Sequence, residues 1–392
     1  MSDIVICGAK RTAIGSFQGQ FDGVPATELG SIAIAAALEH AGLGAEAVEE
    51  VLMGCVLPAN LGQAPARQAA LGAGVPKSAG CTTINKVCGS GMKAIMQAHD
   101  AIKAGSIQVA VAGGMESMTN APYLLPKARA GYRMGNAEVV DHMMWDGLTN
   151  PYDKQAMGVF GELCVNQFAM TREDQDAFAS ESVRRALAAT QGGAFAGEIV
   201  AVKVSTRKGE VEVDTDEEPP RCDLAKIPTL RPAFKRDGGT ITAASSSKIS
   251  DGAAALVVMS AQAAQKHRVR PLARIVAHAT HSQAPEWFTT APVFAIQKVL
   301  EKAGWGKHDV DLYEVNEAFA CVAMAPIREL GLDPAKVNVN GGACALGHPI
   351  GASGARIVVT LLHALLARGG TRGVASLCIG GGEATALAIE VL

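Results

Sequence analysis

Leu38-Glu39-His40-Ala41-Gly42-Leu43-Gly44, followed by Val48 and by Val51-Leu52-Met53-Gly54, comes back about 265 residues later. The second copy reads Leu300-Glu301-Lys302-Ala303-Gly304-Trp305-Gly306, then Val310 and Leu312-Tyr313-Glu314-Val315-Asn316. Each copy is a helix stopped at glycine and followed by a β-rich run. The correspondence continues outward in the same order. Ser90-Gly91 and Ser353-Gly354 each open an amphipathic helix. Val109-Ala110-Val111-Ala112 runs into Gly113-Gly114-Met115-Glu116, as Ala375-Ser376-Leu377-Cys378-Ile379 runs into Gly380-Gly381-Gly382-Glu383, which matches Cys378 with Val111. Repeated matches in one order predict two α/β halves of common layout, stacked on each other.

The stretch from about Thr119 to Thr240 belongs to neither copy. It holds most of the Pro-rich, Met-rich and strongly charged segments. Thr171-Arg172-Glu173-Asp174-Gln175 reads as a capped helix start, with a helix to about Ala189, and Lys208-Gly209-Glu210 between alternating valines reads as a hairpin. The expected organisation is 1–118 plus 241–268 as an N-terminal half, 119–240 as an inserted domain, and 269–392 as a C-terminal half.

Composition narrows the function. With 43 glycines and only 4% aromatics, the chain suits closely approaching α/β layers. A formal net charge of -3 leaves no basic field for nucleic acid. No apolar run reaches membrane-spanning length without Gly, charged or polar interruption, so no membrane partner is expected. Met1-Ser2-Asp3 passes straight into the strand Ile4-Val5-Ile6-Cys7, which predicts no leader. Nine cysteines, an odd count without regular spacing, argue for free thiols in a reducing compartment, and hence the cytoplasm. No metal-ligand spacing is present.

Four segments carry candidate chemistry. In Asn85-Lys86-Val87-Cys88-Gly89-Ser90-Gly91-Met92 a cysteine sits at a helix N-terminus, where unpaired N–H groups and the dipole favour thiolate. A buried, inert cysteine gives the same local pattern. In Gly347-His348-Pro349 the proline holds the imidazole out of the following helix and sets its direction. A lone histidine is more often structural, but one in a glycine-rich loop before a helix reads as functional. Cys378 ends a strand ahead of Gly380-Gly381-Gly382, whose N–H groups are open to an oxyanion. Asn316, also at a strand end, could orient water or a carbonyl. Gly42-Leu43-Gly44 follows a helix and precedes a strand, the reverse of a dinucleotide fingerprint.

At these residues the sequence resembles the thiolase family. Val87-Cys88-Gly89-Ser90-Gly91, Asn316-Glu317-Ala318-Phe319, Gly347-His348-Pro349 and Cys378-Ile379-Gly380-Gly381-Gly382 are that family's signature blocks, in its order and spacing. The likeness runs over essentially the whole chain, including Thr12-Ala13-Ile14-Gly15 and Gly113-Gly114-Met115-Glu116-Ser117-Met118. It implies an α/β fold of duplicated thiolase-like layers, α-β-α-β-α, with an inserted loop domain. It further implies Cys88 as acyl-accepting nucleophile, His348 as its base and Cys378 as acid/base on the substrate. Asn316 would hold a water in one oxyanion hole, and the N–H groups of Cys88 and Gly380 would form the other.

Coenzyme A would enter as substrate and product, with no permanently bound cofactor and no metal. Leu148, Met157, Arg221, Ala243, Ser247 and Phe319 would line its tunnel, with Arg221 toward the adenine or phosphates; for the apolar members, ordinary packing is the alternative. Asn120 to Trp145 resembles a tetramerisation loop, implying a homotetramer. Departures from the family pattern are Ala156 in place of a histidine, Ser245-Ser246-Ser247-Lys248, Phe160-Gly161-Glu162, and the extra thiol Cys344, expected to pack. The implied reaction is reversible condensation of two acetyl-CoA. Its rivals are degradation of longer or branched 3-ketoacyl-CoA and a catalytically silent acyl-CoA-binding protein. A decarboxylating ketosynthase, with two histidines beside its cysteine, is disfavoured by Cys378.

Overall fold

The computed structural model describes residues 3–207 and 209–392, so Met1, Ser2 and Lys208 lie outside the described residues. The first half runs β1 (Ile4–Thr12), α1 (Ala26–Ala41), β2 (Glu50–Gly54), α2 (Pro65–Gly72), β3 (Gly80–Ile84), α3 (Ser90–Lys103) and β4 (Val109–Ser117). The insert contributes α4 (Met157–Gln167) and α5 (Arg172–Gln191), and the chain returns to the sheet as β5 (Ser250–Ser260). The second half runs β6 (Ala273–Ser282), α6 (Ala291–Ala303), β7 (Leu312–Val315), α7 (Ala320–Leu330), α8 (Ile350–Arg368), β8 (Arg372–Ile379) and β9 (Glu383–Val391).

The strand order β7-β8-β9-β6-β1-β5-β4-β2-β3 displays the duplication. Reading outward from the centre, β6-β9-β8-β7 mirrors β1-β5-β4-β2. Among the described residues, the two halves join edge to edge through Val5 opposite Arg274 and Ile6 opposite Ala273. The counterpart of β3 is reduced to a single parallel bridge between Tyr313 and Val337. The glycine stops predicted from sequence are real: Gly42 and Gly304 end α1 and α6 at φ 66° and 69°, where a Cβ would strain the backbone.

Alternating side chains build five layers. From β1, Val5 and Cys7 face an outer core with Leu29 and Ala33 of α1, while Ile4 and Ile6 face a central core with Ile95 of α3 and Val358 and Leu361 of α8. On the far side, Val315 and Val374 pack on Ile296 and Val299 of α6. The central helices cross backbone to backbone. A Cβ on Gly91 would stand 2.8 Å from the Ala355 nitrogen, and one on Gly354 2.4 Å from the Met92 nitrogen. This is why the Ser-Gly pair recurs in both halves. By length and composition α8 could cross a membrane, a feature the interrupted hydropathy hid, but it is the buried middle of this sandwich.

Three sequence expectations change. Gly113-Gly114 lie inside β4 and do not follow it. The registers pair Leu52 with Ala112 and Glu314 with Ala375, so Cys378, three residues on, corresponds to Met115 and not to Val111. The glycine runs had been matched to each other, but one is strand and the other turn. Finally, α8 begins at Ile350 and not Ser353, because Pro349, which has no N–H to leave unpaired, fits directly ahead of the first turn.

In the insert, Thr171 caps α5 through a reciprocal pair with Asp174, and Val202–Thr206 pairs with Gly209–Val213. The insert is tied to the first half. Ile199 and Val200 add to β1 in parallel, and the fully buried Arg11 guanidinium donates to Glu198 at 2.6 Å and to Asp216 at 2.7 and 2.9 Å.

Candidate active site

Cys88 stands at the entrance to α3. The preceding Val87 has φ 45°, a conformation β-branched residues avoid. It is held by Asn85 Oδ1, which accepts from the Val87 N–H, and by Ser90, whose hydroxyl donates to the Val87 carbonyl and accepts from the Lys86 N–H. Lys86 pairs with Glu383 of β9, fixing this turn to the other half. The N–H groups of Gly380 and of Cys88 itself lie close enough to the Cys88 sulfur to favour its thiolate form.

One chamber of about 60 Å³ gathers Cys88, His348, Cys378 and Gly380, walled by Leu148, Met157, Ser247 and Phe319. It meets an outer cavity of about 520 Å³ through shared walls that include Leu148, Met157, Ser247, Phe319 and His348. Arg221 and Ala243 line the outer cavity, so all six tunnel residues expected from sequence border one continuous space. Arg221 donates to Glu217 at 2.8 Å and is largely exposed.

Asn316 does not line the chamber. It is buried behind β7, where its Oδ1 accepts from Arg356 Nη2 at 3.4 Å and its Nδ2 has no protein partner among the described residues. Glu317 pins this block: it accepts from Ser182 at 2.7 Å, from Asn338 at 2.8 Å and from the Cys344 N–H at 3.1 Å.

Burial dominates the electrostatics. It pushes the Cys88 thiol up to about 11, although the Gly380 and Cys88 N–H groups pull the other way. The helix-terminus argument therefore has the right sign for those donors but loses to desolvation. Cys378 is also raised, first by burial and then by the neighbouring Cys88. His348 is lowered to about 3, by burial and then by Arg356, so its ring is neutral at pH 7. The hydrogen bonds assign its tautomer. The Ser353 hydroxyl donates to the Pro349 carbonyl at 2.9 Å, so at the 2.5 Å contact His348 Nδ1 is the donor. Nε2, unpaired among the described residues, is left with its lone pair. Two protonated thiols thus share a small chamber with one neutral base.

Comparison with known proteins settles the family. Residues 4–262 match the thiolase N-terminal domain and residues 269–391 the thiolase C-terminal domain. Acetyl-CoA acetyltransferase 1 of Arabidopsis thaliana is 53% identical over 392 residues, covering 100% of this chain and 94% of that protein. The acetyl-CoA acetyltransferase of Pseudomonas aeruginosa is 49% identical over 391 residues, covering 99% of each. The crystal structure of Acat5 thiolase from Ascaris suum in complex with coenzyme A superimposes with a TM-score of 0.94 at 44% identity, covering 100% of both chains.

The chain belongs to the thiolase family.

Within this thiolase the departures noted in the sequence have definite places. Ala156 lines the outer cavity just ahead of α4. Glu162 accepts from the Thr240 and Ile241 N–H groups, closing the insert where the chain returns to the N-terminal half. Cys344 is buried among Cys321, Cys378 and Phe319, with its thiol pushed well up by burial and then by Glu317, which suits packing.

Sequence reading missed the roles of Ser353 and Glu116. Ser353 was taken as a helix opener; with α8 starting at Ile350, it lies one turn in and under the imidazole. Glu116 accepts from the N–H groups of Val56, Leu57 and Gly351, at 2.9, 3.1 and 2.8 Å, and so joins the ends of β2 and β4 to the start of α8. An acid at the end of a run made of Gly, Ala, Val and Met, residues 109–115, was the available signal. Replacing Ser353 by Ala is expected to lower kcat roughly 10-fold with KM little changed, since it frees the ring without removing it. Steady-state thiolysis checks this, and a changed KM with unchanged kcat would contradict it.

Proposed function

We propose that this chain is an acetyl-CoA C-acetyltransferase, condensing two acetyl-CoA into acetoacetyl-CoA and CoA and running the reverse thiolysis. The observation that carries the reading is the pair of thiols, Cys88 and Cys378, in one small chamber with neutral His348, at the foot of a cavity with room for a pantetheine arm. The relatives named for this activity match the chain along its full length.

The chemistry follows from those groups. His348 Nε2 takes the Cys88 proton as sulfur attacks the acetyl carbonyl, and the resulting thiolate–imidazolium pair is favoured by mutual attraction in the dry site. Cys378, protonated at rest, gives its proton to the departing CoA sulfur. It is then the base that removes an α-proton from the second acetyl-CoA. The enolate attacks acetyl-Cys88, and the expelled Cys88 sulfur recovers its proton from His348. Each donor aimed at a developing oxyanion is worth about 3 kcal/mol. The N–H groups of Cys88 and Gly380 are assigned to one such hole, and His348 with a water on Asn316 Nδ2 to the other. Leu148, Met157, Ala243, Ser247 and Phe319 would hold the pantetheine, with Arg221 at the nucleotide end.

CoA-dependent thiolysis across 3-ketoacyl-CoA substrates of increasing length tests the substrate. Activity confined to acetoacetyl-CoA is expected. Equal or better rates on longer chains would make this a broad degradative thiolase, with Ala156, where the short-chain pattern has histidine, the first residue to restore.

We also assign a homotetramer. Support comes from the arm around Tyr123–Leu124 and Val140–Asp141, which exposes Tyr123, Leu125, Met134 and Val139, an apolar load unusual for a monomer. A monomeric mass in solution scattering would refute it. Cytoplasmic residence is proposed on nine unpaired thiols, and cell fractionation is the check.

A further inference from the structure

No metal-ligand spacing is visible in the sequence, yet among the described residues one group of three His, Cys, Asp or Glu donors converges. His99 and Asp100 lie in the last turn of α3. His278 lies in the middle of β6, in the other half of the molecule. Asp100 Oδ1 is 3.0 Å from His99 Nδ1 and 2.8 Å from His278 Nε2, and the two ring nitrogens are 3.2 Å apart.

Hydrogen bonding alone serves this triangle poorly. If both rings donate to the carboxylate, two N–H groups confront each other; if only His278 donates, one proton is shared between the carboxylate and the His99 lone pair, and three lone pairs converge on one point. A metal ion resolves the conflict by accepting all three lone pairs. Bonds of about 2.0–2.2 Å to nitrogen and oxygen place neighbouring donors about 2.8–3.1 Å apart around an octahedral ion and about 3.3–3.6 Å apart around a tetrahedral one. The observed edges fall in and around that range.

The surroundings agree. The imidazoles are mostly buried, at 15% and 16% side-chain exposure, while Asp100 is 57% exposed, so the remaining coordination positions face water. The C-terminal end of α3 carries the negative end of its dipole, which favours a cation. One opposing charge, Lys302, stands nearby, its ammonium donating to the His278 carbonyl at 3.0 Å on the protein side of the site.

We propose that His99, Asp100 and His278 form a three-ligand site for a divalent transition metal of the imidazole-binding class, clamping the N-terminal half to the C-terminal half. Cys88 lies at the opposite end of α3, about 17 Å away along the helix axis, so the clamp is structural and takes no part in acyl transfer.

Ni²⁺ is the suitable probe, because Zn²⁺ would also recruit the thiols. Calorimetric titration of the EDTA-dialysed full chain with Ni²⁺ above pH 7 is expected to show one ion per chain. Thermal unfolding should move up by a few degrees in excess metal. His99→Gln and His278→Gln should each weaken binding on the order of 100-fold and abolish the thermal shift, while metal-free thiolysis of acetoacetyl-CoA stays unchanged. That retained thiolysis reports folding; should either variant lose it, the exposed Asp100→Asn carries the test, with binding weakened roughly 10-fold. Binding that survives both histidine variants, or none at millimolar Ni²⁺, overturns the proposal.

Discussion

Cys88→Ala is expected to abolish acyl-enzyme formation and to lower kcat for thiolysis by about 10⁴- to 10⁶-fold, the range seen when a covalent nucleophile is removed. The structure offers no substitute. Cys378 shares the chamber but is raised by burial and by Cys88, while the N–H groups of Gly380 and Cys88 favour the thiolate at Cys88. Alanine keeps the backbone donors and the Val87 turn, so the variant should fold and bind CoA normally. Incubation with acetyl-CoA followed by intact-protein mass measurement reads the result directly. Acetyl label retained at any comparable stoichiometry would show that another residue is the nucleophile.

Cys378→Ala separates the two half-reactions. Acylation of Cys88 should persist, because His348 still takes the Cys88 proton and CoA can leave as a thiolate. Condensation should fall by about 10²- to 10⁴-fold, the usual contribution of a positioned acid or base. The discriminating measurement is acetyl–CoA exchange beside acetoacetyl-CoA formation on one preparation. Equal loss in both would contradict an acid/base role, and would instead indicate that the thiol shapes the chamber around Cys88.

Much of the site was legible because its residues come in blocks that a linear reading can recognise. Cys88 precedes a helix, His348 precedes a proline, and Cys378 precedes three glycines; each block names a residue type and a local direction. Ser353 was not legible, since its contact with His348 depends on α8 starting three residues earlier than its Ser-Gly pair suggests. Glu116 was quoted without a role, because its three partners come from Val56, Leu57 and Gly351, the last of them 235 residues away. The match of Cys378 with Val111 failed for a related reason: glycine in a strand and glycine in a turn look alike until hydrogen-bond register distinguishes them.

By itself the sequence determined the duplication, the glycine stops of α1 and α6, the capped helix at Thr171, and the identity of the reactive groups. These follow from local rules of backbone sterics, capping and side-chain chemistry, which act within a few residues. Tertiary structure alone decided the protonation state of the site. A cysteine at a helix N-terminus reads as a thiolate, but the layers stacked around Cys88 remove water and hold it as a thiol beside a neutral imidazole. It also decided that His99, Asp100 and His278 meet, from halves joined edge to edge by two residue pairs. Desolvation and convergence depend on everything within several ångströms, and most of what lies there is distant in the chain.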